Sequence, residues 1–144
     1  MSEPSGLRQR REATVREHMD SENRLDFEAT LRTFEHPRYE LFGSGEVFDG
    51  SDVVRQYFKD SRAVFPDQRN RALAWHHTED AVIVEFELMG THRGPMHGHA
   101  PTGKSFSQRM IAMFVFPPGG DHIICERVYF DSLSIQRQLG LLAV

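Results

Sequence analysis

Hydrophobic and polar residues recur along this chain with two distinct periods, and the period changes near Pro66. Before that point the spacing is helical. Val53, Val54, Tyr57, Phe58 and Phe65 fall on one stripe, and Arg55, Lys59, Asp60 and Arg62 fall elsewhere. Ser51-Asp52 stands where an N-cap belongs and Pro66 closes the segment, so this is the clearest helix of the chain. From Glu12 to Glu22 the residues are mostly charged helix formers, with Val15 and Met19 at i, i+4 spacing, which predicts a mostly exposed helix. Asp26 can cap a second short helix carrying Phe27, Leu31 and Phe34, and His36-Pro37 ends it. Tyr39 to Phe42 and Glu46 to Phe48 read as short strands around the turn Gly43-Ser44-Gly45, and Asp49-Gly50 stops the second.

Beyond Pro66 the period is that of strands. Arg71 to His77 turns at Thr78-Glu79-Asp80 into Ala81 to Thr91. A Gly/Pro-rich connection covers Gly94 to Gly103, and Ser105 to Phe116 forms a long strand. After the turn Pro117 to Asp121, the last strand runs from Ile123 to Asp131. Ser132 to Leu139 reads as a closing helix with Gly140 in the left-handed cap position. Helices followed by successive strands predict an α+β fold with helices on one side of an antiparallel sheet. Along 81–91, Val82, Val84, Phe86 and Leu88 oppose Ile83, Glu85, Glu87 and Met89, so neither face is purely polar. Such a sheet is expected to have helices on one side and a second surface partly buried by a second copy of the chain.

Composition narrows the function classes. The 144 residues suit a single domain over 11–144, with residues 1 to about 10 read as a disordered leader. A formal charge of −4 offers no footprint for nucleic acid or an anionic membrane surface. No apolar run approaches the ~20 residues of a membrane span, and the N-terminus lacks the apolar segment of a secretory signal. The single cysteine, Cys125, leaves no internal disulfide and fits a reducing, cytoplasmic setting.

Candidate chemistry sits in two places. On the last strand Cys125, Arg127, Tyr129 and Asp131 share one face, and Ile124, Glu126, Val128 and Phe130 the other. A cation, a phenol and a carboxylate at consecutive same-face positions describe either a solvated outer face or the lining of a pocket. The connection Gly90 to Lys104 carries His92, His97 and His99. Imidazoles at that spacing invite a metal reading. Against it, the Glu that follows His-x-His in metal-binding cupins is replaced by Ala100-Pro101-Thr102-Gly103, so no metal is expected. Gly103-Lys104 lacks the spacing of a phosphate loop.

Several of these residues together carry a family resemblance. Gly90-Thr91-His92-x-Gly94-Pro95, Pro101-Thr102-Gly103-Lys104, Arg127-x-Tyr129-x-Asp131 and Gln138-Leu139-Gly140 occur in that order. With His36-Pro37-Arg38-Tyr39-Glu40 and Asp49-Gly50, this resembles the SnoaL-like branch of the nuclear transport factor 2-like superfamily, over roughly residues 12 to 141. The resemblance implies a cone: a strongly curved antiparallel sheet wrapped around the N-terminal helices, with a hydrophobic pocket in its mouth. It also implies a homodimer through the outer sheet face, a hydrophobic small-molecule substrate and no cofactor. The implied activities include aldol-type ring closure by polyketide cyclases, ketosteroid isomerisation, dehydration and epoxide hydrolysis, beside catalytically silent binding domains.

The position matching the cyclases' acid/base aspartate is Asp131, which makes Asp131 the expected general base. Tyr129 is then the candidate proton donor, and Arg127 the charge that keeps the carboxylate ionised. His92, Arg109, Glu85, His76 and Tyr57 complete the expected set as substrate-binding residues. Arg109 or Arg127 serves a hydrolase reading, His76 or His77 a dehydratase, and Glu85 or Glu87 an isomerase with a neutral acid. Cys125 is expected to pack rather than react.

Overall fold

The computed structural model describes residues 4–142 of the chain. Four helices and six strands follow one another as α1 (Pro4–Asn23), α2 (Phe27–Arg32), β1 (Arg38–Leu41), β2 (Glu46–Asp49), α3 (Ser51–Val64), β3 (Arg69–His77), β4 (Ala81–Thr91), β5 (Ser105–Val115), β6 (Cys125–Tyr129) and α4 (Ser132–Gln138). The strands form one curled, open sheet in the order β2-β1-β6-β5-β4-β3. All neighbours run antiparallel except β1 and β6, which pair in parallel through Tyr39–Glu126, Glu40–Arg127 and Leu41–Val128. The expected α+β class and curved sheet are present, and the parallel pair is the departure from a purely antiparallel sheet. It arises because the chain returns from the β5–β6 turn to cover the edge that β1 leaves open.

Alternation along the long strands settles which face turns inward. Val82, Val84 and Phe86 of β4 and Phe106, Met110, Ala112 and Phe114 of β5 are buried against the helices. They join Val54 and Phe58 of α3 and Val15 and Met19 of α1 in one core. The bulge between Ala72 and Ala74 in β3 adds a residue to that strand and sharpens the curl at the sheet's edge. Gly94 shows how closely the connection after β4 must approach α3. A Cβ there would sit 2.0 Å from the carbonyl oxygen of Ala63, so only glycine fits.

Helix α1 differs most from expectation. It begins at Pro4 rather than Glu12, so residues 4–10 of the expected leader are helical, while residues 1–3 lie outside the described part of the chain. It is also far from mostly exposed, because Arg11, Val15, His18, Met19 and Ser21 are all buried. These positions recur every three or four residues, but only two of the five are apolar, which is why hydrophobic spacing underrates the helix. Arg11 shows how such a stripe is satisfied. Its guanidinium donates to the carbonyls of Gly120 at 2.8 Å, Glu79 at 2.9 Å and Pro117 at 3.0 Å, and lies 4.9 Å from the Phe116 ring centroid. One side chain thereby ties α1 to two turns at the far end of the sheet. Among the described residues no helix is long and apolar enough to cross a membrane.

Candidate functional site

A cavity of about 200 Å³ lies between the concave face of the sheet and helices α1 and α3. Its walls are mostly apolar, with Phe86, Phe106, Met110 and Phe130 among them. Gln68, Arg69 and Asn70 border it where the chain leaves α3, and Arg69 is exposed. Polar groups converge on the remaining wall: Glu22 from α1, Tyr39 from β1, Tyr57 and Arg62 from α3, and Glu126 from β6. An apolar hollow with a few convergent polar groups is the usual form of a small-molecule site.

Behind those groups stands His18, fully buried. Its Nδ1 lies 2.9 Å from Thr33 Oγ1, and that hydroxyl donates its own proton to the Thr30 carbonyl at 2.6 Å. Thr33 therefore accepts, Nδ1 carries the proton, and Nε2 is turned toward the cavity wall. Nε2 lies 2.8 Å from Glu126 Oε1, 3.1 Å from the Tyr39 hydroxyl and 3.5 Å from Glu22 Oε1. The Glu126 contact is an ionic approach without hydrogen-bond alignment, which leaves Glu126 Oε1 with no aligned donor. Tyr39 in turn donates toward Glu22 Oε2 at 3.5 Å. The rings of Phe34 and Phe114 meet the imidazole edge-on at 5.3 and 5.1 Å and keep water from it.

The electrostatic consequences follow from this geometry. Burial alone would discharge His18, but the carboxylates of Glu126 and Glu22 outweigh it and hold the imidazole pKa above its ordinary value. Glu22 is also raised, first by burial and then by the neighbouring Glu126 carboxylate, against the opposing pull of His18 and Arg62. Burial pushes the phenols of Tyr39 and Tyr57 up as well, so both remain protonated donors. The result is a carboxyl held above its ordinary pKa, a cation behind it, and two phenols that stay protonated.

Of the residues expected from sequence, Tyr57 lines this cavity. The others lie elsewhere. Residues Arg127 and Tyr129 are on the outer face of the sheet, because β6 turns Glu126 and Val128 inward between Tyr39, Leu41, Ala112 and Phe114. Arg127 Nε meets Glu40 Oε1 at 3.2 Å, and Tyr129 stacks on Phe42 with ring centroids 4.5 Å apart. Asp131 is exposed and caps α4, its Oδ1 accepting from the backbone N–H of Leu133 at 3.1 Å and Ser134 at 3.2 Å. Gln108, buried on β5, holds the Asp131 backbone at 2.8 and 3.0 Å. The charge that Arg127 was expected to lend Asp131 goes instead to Glu40, whose pKa is lowered by Arg38 and then Arg127.

Glu85 and His76 pair with each other at 2.7 Å, and Arg109 is exposed beside Glu87 in the register; none of the three lines the cavity. His92 is buried outside the cavity lining, its Nδ1 accepting the Thr102 N–H at 3.1 Å. His97 and His99 are exposed on a tight turn closed by Met96. Cys125 lies beside Glu40 with its thiol pushed up to about 11, first by burial. That is a packing thiol rather than a reactive one.

The hydrophobic pattern did not point to His18, Glu22, Tyr39, Arg62 or Glu126. A signal existed for two of them. Glu126 is the one charge on the otherwise apolar face Ile124, Val128, Phe130, and His18 adjoins Met19 on the α1 stripe.

The sequence matches the family described as SnoaL-like polyketide cyclase over residues 13–139. No curated protein matches it. Among solved structures, a protein of Jannaschia sp. CCS1 described as a SnoaL-like polyketide cyclase superposes with a TM-score of 0.85 at 17% identity, covering 99% of this chain and 100% of its own. IdmH of Streptomyces antibioticus, described as a polyketide cyclase, gives 0.74 at 24% identity, with 90% and 98% covered. The phenazine biosynthesis-related protein PhzB2 of Pseudomonas aeruginosa gives 0.79 at 17% identity, with 100% and 89% covered. At these identities the superpositions establish the fold, and another neighbour carries it under the description ketosteroid isomerase-like.

Proposed function

The chain belongs to the SnoaL-like polyketide cyclase family, and on that premise we propose that it is a cofactor-independent acid/base enzyme that closes a ring in a carbonyl-rich, largely apolar small molecule. The observation that carries this reading is Glu22: a carboxyl of raised pKa on the wall of an apolar cavity, beside phenols that stay protonated. In the proposed reaction Glu22 takes the proton from a carbon flanked by carbonyl groups. The Tyr57 hydroxyl, which no described residue engages, donates to the enolate oxygen as charge develops there. The enolate carbon then attacks a second carbonyl of the same molecule, a carbon–carbon bond forms, and Glu22 returns its proton to the new alkoxide. His18 does not line the cavity and acts through Glu22, its positive charge offsetting the carboxylate while Glu126 keeps that charge in place.

Enolisation is the step to test first, because it needs no knowledge of the natural substrate. Exchange of the α-protons of 2-tetralone in D₂O, followed by NMR, should be accelerated by the protein. Glu22→Gln should slow it by roughly 100-fold or more, and Asp131→Asn should leave it within about threefold. Exchange that survives Glu22→Gln removes Glu22 from the mechanism. A protein that binds 2-tetralone without exchanging its protons is a ligand carrier on the same fold. We also assign the outer sheet face, where Phe42, Ile111 and Tyr129 are exposed, to a homodimer. Sedimentation of Ile111→Glu as a monomer, against a dimeric parent, is the expected outcome.

A further inference from the structure

The cavity wall carries a cation that the acid/base chemistry does not use. Arg62 lines the cavity with its side chain nine-tenths buried. Its Nη1 donates to Ser61 Oγ at 2.9 Å, Nη2 stands 3.7 Å from Glu22 Oε2, and the guanidinium lies over the Phe27 ring at 5.1 Å from the centroid. The Nε proton has no acceptor among the described residues. A guanidinium has five donors, and here it makes one hydrogen bond and one long ionic contact. Buried charges are ordinarily paired and hydrogen-bonded, because an unpaired one is costly. The only carboxylate within ionic reach of Arg62 among the described residues is Glu22, the group held toward its neutral form by burial and by Glu126. The positive charge is therefore only partly answered by the protein.

The rest of the lining sharpens the point. Among the described residues its only acidic ones are Glu22 and Glu126, on the wall that also holds Arg62. The border contributes Gln68, Asn70 and a second cation, Arg69. The cavity's size adds a further limit. At about 200 Å³ it falls below the roughly 300 Å³ at which pockets for drug-sized ligands begin. A one- or two-ring body matches that volume.

We propose that Arg62 is the anchor for an acidic head group, so that the substrate is a compact one- or two-ring carbonyl compound bearing a carboxylate. This inference names a substrate class for the site proposed above and rests on that reading. The carboxylate meets the guanidinium where Arg62 lines the cavity, and the ring body lies against Phe86, Phe106 and Met110. Anchoring at Arg62 places the body of the molecule beside Glu22 and Tyr57, which share that wall.

The test compares two probes of one shape, 2-naphthoate and its neutral counterpart 2-naphthamide, by titration calorimetry on the intact protein. Wild type should bind the carboxylate about tenfold or more tightly than the amide. Arg62→Gln should bring the two within about threefold by weakening the carboxylate alone, and Arg62→Lys should restore part of the preference. Arg109→Gln, at an exposed strand position outside the cavity, should change neither probe by more than about twofold. Equal affinity in wild type, no measurable binding of naphthoate, or a preference that survives Arg62→Gln overturns the inference. Should Arg62→Gln fail to fold, the wild-type pair and Arg62→Lys still decide. None of these outcomes touches the role of Glu22, which is read from proton exchange on an uncharged ketone.

Discussion

The two faces of β6 carry similar chemistry and do opposite things. Outward, Arg127 and Tyr129 meet partners that water also reaches: Glu40 at 3.2 Å and the flat face of Phe42. Inward, Glu126 stands between Tyr39 and Phe114 with His18 at 2.8 Å, all of them buried. Both faces hold an ion pair and aromatic rings. Only the inner pair is held away from solvent, and it is there that the imidazole of His18 and the neighbouring carboxyl of Glu22 are both raised above their ordinary values. Ionisable residues matter less by their number on a face than by what surrounds them. A strand face with three polar groups is solvated, and a face with one carboxylate among apolar neighbours lines the site.

The comparison breaks most sharply at Glu126. Glu126→Gln leaves a buried imidazolium without its nearest counter-ion and should destabilise the fold by about 3 kcal/mol. Arg127→Gln, on the opposite face of the strand though adjacent in sequence, should cost at most about 1 kcal/mol. Urea unfolding of both variants measures the contrast, and equal costs would erase the distinction drawn between the faces. Asp131→Ala removes the N-cap of α4 and should cost about 1 kcal/mol without altering proton exchange. A large kinetic loss there would return the chemistry to the outer end of the strand.

Glu22→Gln offers a finer test, because the amide mimics the neutral acid that burial favours. At pH 8 it should be close to neutral for stability, and less costly than Glu126→Gln, while slowing exchange by roughly 100-fold or more.

The smallest expected effect is on pH dependence. For both His18 and Glu22 the folded-state pKa is raised above its unfolded value. The folded state therefore holds more protons than the unfolded chain between the unfolded and folded values of each group. The stability His18 contributes is fully present below about pH 6.5 and is lost as pH rises through its folded value; Glu22 adds a fall of the same sign beginning nearer pH 4. Unfolding free energy should decline from pH 6 to pH 9, and Glu22→Gln should make the decline shallower. Carboxylates of lowered pKa such as Glu12 and Asp67 act on the acid side, where their contribution disappears as pH falls through the folded values.

Much of the architecture was legible because local rules carry it. The α3 stripe Val54–Phe58, the cap at Asp26, the alternation of β4 and β5 and the left-handed Gly140 all stand as their spacing predicts. These features depend on neighbours within a turn or a strand, and sequence contains those neighbours. Even the division of β6 into two faces was visible, since side-chain parity is a property of the strand itself.

Which face turned inward was not visible, nor was the set of side chains that meet there. That choice was made by the register of β6 against β1 and β5, where Glu126 falls opposite both Tyr39 and Phe114. It was made again by Arg11, whose three bonds to carbonyls of distant turns hold α1 against the sheet and bring His18 and Glu22 to the wall. The sequence by itself determined the elements and the apolar faces that drive them together. Only the tertiary structure decided which ionisable groups are stripped of water, because desolvation depends on every neighbour in space and not on the few adjacent in the chain.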